Sequence, residues 1–166
     1  FYATLVPMTD RINVSSVGPS LNSWMRGPPP AGWTGCLEPR EFSKPGFPHA
    51  MDDAPPTGAG TFNPSAPGFY IPRDPVPGRS PMSVACSRSP IAGPTSDVDE
   101  ITRALNALHP FGTGRMDEGM VWAWRLLSDK WRGQWKPGGD YPAKPGDRRK
   151  IVVFLTDGNT EIYAYE

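Results

Sequence analysis

Proline and glycine are the residues that most constrain how this chain can fold. The 166 residues include 22 Pro and 18 Gly, which together make up about a quarter of the chain. Proline removes a backbone donor and glycine adds chain entropy, so neither suits the interior of a helix or strand. We therefore expect a core concentrated in a few segments, with long irregular connections between them.

Four segments carry secondary-structure signals. Residues 1–7 are aromatic and β-branched and predict a strand. Residues 97–108 predict a helix that Asp97 can cap, and residues 117–127 predict a second helix with acidic residues in its first turn. The apolar run 151–155 predicts a strand buried on both faces, which is typical of a parallel sheet covered by helices.

The two predicted helices each have an apolar face that needs a partner. We expect these faces to cover a sheet that contains Val152 and Phe154. The side chains predicted to make this contact are Ile101, Leu105, Leu108, Met120, Trp124 and Leu127.

The predicted elements divide the chain into three parts. Residues 1–14 form a strand and turn of the core, residues 15–95 form a Pro/Gly-rich insertion, and residues 96–166 form a helix–helix–strand part of the core. The insertion is far longer than an ordinary loop, so it is either disordered or held by something other than a core.

Two cysteines, Cys36 and Cys86, lie in the insertion, without a Cys or His at metal-ligand spacing. A single pair in loops fits a disulfide in a periplasmic or extracellular protein, and the pair would staple the insertion. The alternative interpretation is two unrelated buried thiols in a cytosolic protein.

Charge and hydropathy limit the classes of partner. Seventeen basic and seventeen acidic residues cancel, so no overall field favours nucleic acid or an anionic membrane. No apolar run in this piece is long enough to span a bilayer. Because the chain starts with Phe1 rather than Met, we interpret it as part of a longer protein with any membrane anchor upstream.

The predicted strand 151–155 delivers the sequence Thr-Asp-Gly at its carboxyl end. In open α/β sheets this is where ligands bind, and Asp157 can point into that crevice. A carboxylate together with hydroxyls and waters suits Mg²⁺, whereas the alternative role for Asp157 is to cap the following turn.

Several segments resemble, in chain order, the von Willebrand factor A-type (VWA) domains of TadG-like proteins of the bacterial Tad pilus. TDGN at 156–159 resembles the third loop of the family's metal-ion-dependent adhesion site, and residues 111–135 resemble its second loop and following helix. The upstream matches are YATLVPMTDRINV (2–14), WTGCLEPR (33–40) and CSRSPIAGPTSDVDEITRALNAL (86–108).

The resemblance implies an α/β fold: a VWA, Rossmann-like, parallel-rich sheet flanked by helices, with a long Pro/Gly-rich insertion. It also implies a metal site that contains Asp157 and Thr113. The family's Asp-x-Ser-x-Ser loop does not occur in the 166 residues, which predicts an incomplete domain whose missing loop lies before Phe1. We therefore expect Mg²⁺ in the complete domain and weak or absent binding in this piece.

The implied function is a metal-dependent adhesion or protein-binding domain, not an enzyme, of a Tad-type pilus assembly or cell-envelope protein. Its partners would be proteins of the pilus or envelope, or the upstream segment of its own chain, at the periplasmic side or cell surface of an inner-membrane-anchored protein. One alternative is a carbohydrate-binding or hydrolytic envelope domain that uses Asp157, with Trp131 and Trp135 as ligand contacts. Another is a purely structural filament component.

Overall fold

A computed structural model describes residues 1–9, 11–17, 24–25, 27–37, 62, 70–71, 82–83, 86–109, 116–136 and 141–156. Within this part of the chain the protein is a mixed α/β structure, in agreement with the predicted class. The helices are α1 (Val98–Asn106) and α2 (Met116–Leu127), followed by a short 3-10 helix at Asp129–Trp131. The strands are β1 (Ala3–Leu5), β2 (Tyr70–Ile71), β3 (Met82–Ser83) and β4 (Ala92–Thr95).

The described strands form two small antiparallel sheets. β1 pairs with β4, and β2 pairs with β3. Gly93 lies in β4 with φ near +91°, and a Cβ there would lie 2.5 Å from the Ala3 carbonyl oxygen, so the close pairing of β1 and β4 requires glycine. The strand predicted within residues 1–7 is therefore present, and its partner comes from the end of the Pro/Gly-rich region.

The run 151–155 was predicted as a buried strand, and in the structure it is neither buried nor part of a sheet. Its five side chains are exposed, including those of Val152 and Phe154. The prediction was wrong because a run that is apolar on both faces becomes a buried strand only when neighbouring strands pair with it. In the described part of the chain no strand does so.

Both helices begin and end close to their predicted positions. The Asp97 carboxylate caps α1 by accepting a hydrogen bond from the Asp99 N–H at 2.9 Å, as its position before the apolar stripe predicted. Acidic residues occupy the first turn of each helix, where they complement the helix dipole. No helix in the described residues is long and apolar enough to cross a membrane.

The hydrophobic core lies on a different side of α2 from the one predicted. The buried residues of this helix include Val121, Trp122 and Leu126, whereas Met120 and Trp124 are exposed. Helix α1 buries no residue, and Leu105 and Leu108 are exposed as well. Helix α1 packs against β1 and β4, and no sheet of the described residues contains Val152 and Phe154, so the predicted partner of these helix faces was wrong.

Residues from the predicted insertion supply half of the core cluster. Its members are Ile12, Val14, Val17, Trp24, Met25, Leu37, Phe62, Ile91, Trp122, Leu126, Trp131 and Trp135. Six of them lie between residues 15 and 95. Part of the Pro/Gly-rich region is thus held by a hydrophobic core in addition to any covalent staple.

The structure joins Cys36 and Cys86 in a disulfide, as predicted, with the Cα atoms 5.6 Å apart. Both cysteines lie against the segment 11–13, through isolated bridges between Asn13 and Cys36 and between Arg11 and Cys86. The buried Asn13 side-chain amide donates hydrogen bonds of 2.9 Å to the carbonyl oxygens of Thr34 and Ser87. One amide therefore links the two chain segments that the disulfide also joins.

Truncation of single side chains should distinguish the observed packing of the helices from the predicted packing. Leu126 is 1% exposed, so Leu126→Ala should lower the free energy of unfolding by about 2–5 kcal/mol. Leu105 is 47% exposed, and Leu105→Ala should change it by only about 0.5 kcal/mol. Urea denaturation measures both, and a larger loss in the Leu105 variant would contradict the observed orientation of the helices.

Removal of the disulfide should destabilise the fold. The cysteines are 50 residues apart, and closing a loop of that size stabilises by roughly 4 kcal/mol in the chain-entropy model. Denaturation of oxidised and reduced protein measures the difference. The control is the intact mass after alkylation without reductant, and two alkylated thiols in that sample would contradict the pairing.

Candidate functional site

The residues predicted to bind metal, Thr113 and Asp157, lie outside the described part of the chain. Thr156, the last described residue before Asp157, is exposed at the end of the run 151–155. Within the described residues, no three His, Cys, Asp or Glu side chains are grouped as metal ligands. The metal site therefore stays a prediction from the sequence.

Trp131 and Trp135, predicted as contacts for a ligand, lie in the core instead. Their rings stack with centroids 5.1 Å apart, and both pack edge-on against Trp24, at 5.4 and 5.3 Å. Each is 0% exposed, so neither offers a ring face to a sugar in this structure. The physical reason is the large apolar area of tryptophan, which is better buried among other rings than exposed.

The buried Arg125 lies on the side of α2 that faces the core. Its guanidinium carbon lies 4.7 Å from the ring centroid of Trp122, 5.2 Å from that of Phe62 and 5.8 Å from that of Trp131. These are cation–π distances, and Trp122 and Arg125 share a face because they are three residues apart on a helix. The sequence analysis missed this arrangement, although the i, i+3 spacing of Trp and Arg was its visible signal.

A large apolar groove with a volume of about 1180 Å³ lies beside this core, and Leu126 belongs to both. Residues 1–8, which include β1, form one part of its lining, and residues 141–143 and 148–155 form another. Helices α1 and α2 and the residues that follow α1 contribute Leu105, Leu108, Gly119, Met120, Ala123, Leu126 and Leu127. We call this surface the apolar groove.

Several side chains predicted to form a core between helices and sheet line the apolar groove. Met120 from α2 and Leu105 from α1 lie here, together with Val152 and Phe154. Residue 119 of α2 is glycine, and this lets the Met8 side chain approach the helix directly. The sequence analysis thus identified these residues as a set, and the structure leaves the space between them open.

The charges of the apolar groove are of one sign among the described residues. Arg148, Arg149 and Lys150 lie in its lining directly before the apolar run, and none of the described lining residues is acidic. All three cations are exposed. The lining therefore combines an extensive apolar surface with three cations that directly precede the apolar run 151–155.

Tyr141 closes part of the apolar groove and is partly buried. Burial raises the pKa of its phenol above 10.0, because the phenolate loses hydration, while a hydrogen bond with Thr4 lowers the pKa by a smaller amount. The ring packs edge-on against Tyr2, with the centroids 5.6 Å apart. These contacts tie residues 141–143 to the β1 side of the groove.

The raised pKa of Tyr141 should appear in the pH dependence of stability. Above pH 10 the unfolded chain releases this proton before the folded chain does, so the free energy of unfolding should fall as pH rises. The fall should be less steep in Tyr141→Phe, which lacks the phenol. Denaturation at a series of alkaline pH values measures both slopes, and equal slopes would contradict the burial of the phenol.

Comparison with known proteins finds no match: no family model, no curated protein and no solved structure. Inference about function therefore depends on the geometry described above and on the sequence motifs.

Proposed function

We propose that this chain is a protein-binding domain of the VWA type, similar to those of TadG-like proteins of the Tad pilus, and that it acts by adhesion rather than by catalysis. The observation that carries the proposal is the apolar groove. Its lining brings together partly buried side chains from β1 and exposed apolar side chains from both helices and from residues 151–155.

An exposed apolar surface of this extent is unusual on a folded protein. Val153 and Leu155 are 75% and 77% exposed, and Met120 and Leu105 are close to half exposed. Contiguous exposed apolar patches commonly mark sites of association, because covering them removes apolar area from water. This favours a macromolecular partner for the groove.

The disulfide supports the proposed compartment. Cys36 is fully buried, and its bond to Cys86 joins two parts of the Pro/Gly-rich region, each of which forms a backbone bridge to the segment 11–13. Disulfides of this structural kind form and persist in oxidising environments such as the bacterial periplasm and the cell surface. The proposed setting is therefore the cell envelope, where a pilus protein would meet its partners.

The metal dependence of the proposed function depends on the resemblance of residues 156–159 and of Thr113 to the family's loops. Asp157 and Thr113 supply one carboxylate and one hydroxyl, which are oxygen ligands that suit Mg²⁺. Two ligands do not complete an octahedral shell, so these residues alone do not hold the ion firmly. In the proposed domain, Asp157 would bind the metal and leave an open position for a carboxylate of the partner.

Titration calorimetry with Mg²⁺ tests the metal part of the proposal. We expect the 166 residues to bind with a Kd on the order of 1 mM or weaker, because most of the roughly six ligands must be water. In a natural form of the protein that carries an Asp-x-Ser-x-Ser loop, binding should be tighter, and Asp157→Ala should remove the gain.

The matched control is Asp147→Ala, which removes an exposed carboxylate that lies apart from the Thr-Asp-Gly motif. This variant should bind Mg²⁺ as the unchanged protein does. Binding by the 166 residues with a Kd on the order of 1 µM that survives Asp157→Ala would place the metal elsewhere and overturn the proposal.

A further inference from the structure

We propose that the apolar groove binds a β-strand of a separate polypeptide, with apolar side chains along its length and a carboxylate at the end nearest residues 148–150. This inference rests on the proposed function, since it names the class of partner that the protein-binding surface takes. Backbone pairing, side-chain pattern and charge support it independently.

The first argument is the unpaired backbone in the lining of the groove. β1 has one neighbour, β4, in a sheet of two strands, so its other edge is unpaired within the described residues. In the same part of the chain, residues 151–155 make no backbone hydrogen bond to another segment. Both segments line one groove, and free edges of this kind are templates for an added strand.

The second argument is the pattern of exposure along the run 151–155. Ile151, Val153 and Leu155 are 68–77% exposed, whereas Val152 and Phe154 are 39–42% exposed. Exposure that alternates from residue to residue is typical of an extended chain, in which successive side chains point to opposite faces. Here the side chains on both faces are apolar. A chain of this kind loses part of its apolar exposure when a strand pairs beside it, because cross-strand neighbours then contact each other on each face.

The third argument is charge. Arg148, Arg149 and Lys150 place three positive charges directly before the run 151–155, in a groove whose described lining holds no acid. A partner strand that ends in aspartate or glutamate would complement these charges and fix its direction.

The size of the groove fits a peptide segment. Its volume of about 1180 Å³ exceeds the 300–1,000 Å³ typical of sites for small molecules. The occupant expected from size, backbone and charge together is therefore a strand of a protein partner.

Synthetic peptides provide the test. The probe is a fluorescent peptide of about eight residues, the length of an ordinary strand, with alternating valine and threonine and two glutamates at one end. Two versions of the peptide carry the glutamates at the N-terminal end or at the C-terminal end, because the bound strand could run in either direction. A third version has lysines in place of the glutamates. In fluorescence polarisation we expect one glutamate version to bind about tenfold more tightly than the lysine version.

A backbone variant of the tighter peptide separates strand pairing from general apolar contact. Methylation of one central amide nitrogen removes a backbone donor but leaves the side chains unchanged. We expect about a tenfold loss of affinity, since a buried acceptor on the protein is then left without a donor.

Matched variants of the protein locate the binding site. Val153→Asp alters the groove, and we expect it to weaken binding about tenfold or more, whereas Val98→Asp alters an exposed valine outside the groove and should have no effect. Arg149→Glu should abolish the preference for glutamate over lysine, and Lys144→Glu, outside the lining, should leave it unchanged. All four positions are exposed, so the variants should keep the fold, which circular dichroism checks.

Several outcomes would overturn the proposal: no binding by either glutamate peptide, equal binding of the lysine peptide, or full tolerance of the methylated amide. Self-association of the protein that Val153→Asp abolishes would assign the groove to a second copy. Loss of peptide binding in a longer natural form of the protein would indicate that the chain's own additional residues occupy the groove. None of these results alters the expected Mg²⁺ titration, so failure here is distinguishable from failure of the proposed function.

Discussion

The packing of four tryptophans around one helix face is the interaction on which the rest of the described structure depends. Trp24, Trp122, Trp131 and Trp135 are all at most 1% exposed and contact one another directly. Rings of this size dominate the apolar area available to a chain that is poor in other core residues. Helix α2 therefore turns Trp122 inward, and this orientation places Met120 on the opposite, exposed side.

The same cluster includes side chains from the described part of the Pro/Gly-rich region. Trp24 and Phe62 come from that region and pack against Trp122, and the Cys36–Cys86 disulfide joins the region to itself beside Asn13. The described residues of this region are thus held by aromatic packing, a covalent bond and hydrogen bonds from one buried amide.

The open apolar groove is the consequence of this arrangement. With the core on the tryptophan side, the apolar faces of α1 and β1 and the run 151–155 are left to line a surface exposed to solvent. An exposed apolar surface of this kind is commonly a site where another polypeptide binds and covers it. The proposed adhesive role and the proposed strand partner both follow from that unsatisfied surface, whereas the metal site depends on motifs at Thr113 and Asp157.

The sequence by itself determined the features that depend on local chemistry. The helices at Val98–Asn106 and Met116–Leu127, the cap at Asp97, the strand near the start of the chain and the pairing of two cysteines were all predictable, because neighbouring residues or simple pairing fix them. Which helix face is buried was decided by tertiary structure. The apolar stripe through Met120 and Trp124 competed with the face of Trp122 and Arg125, and only the rings of Trp24, Phe62 and Trp131, distant in sequence, gave the second face the better partner. For the same reason, residues 151–155 have the pattern of a buried strand but lie exposed, since burial of a strand requires neighbours that its own sequence cannot specify.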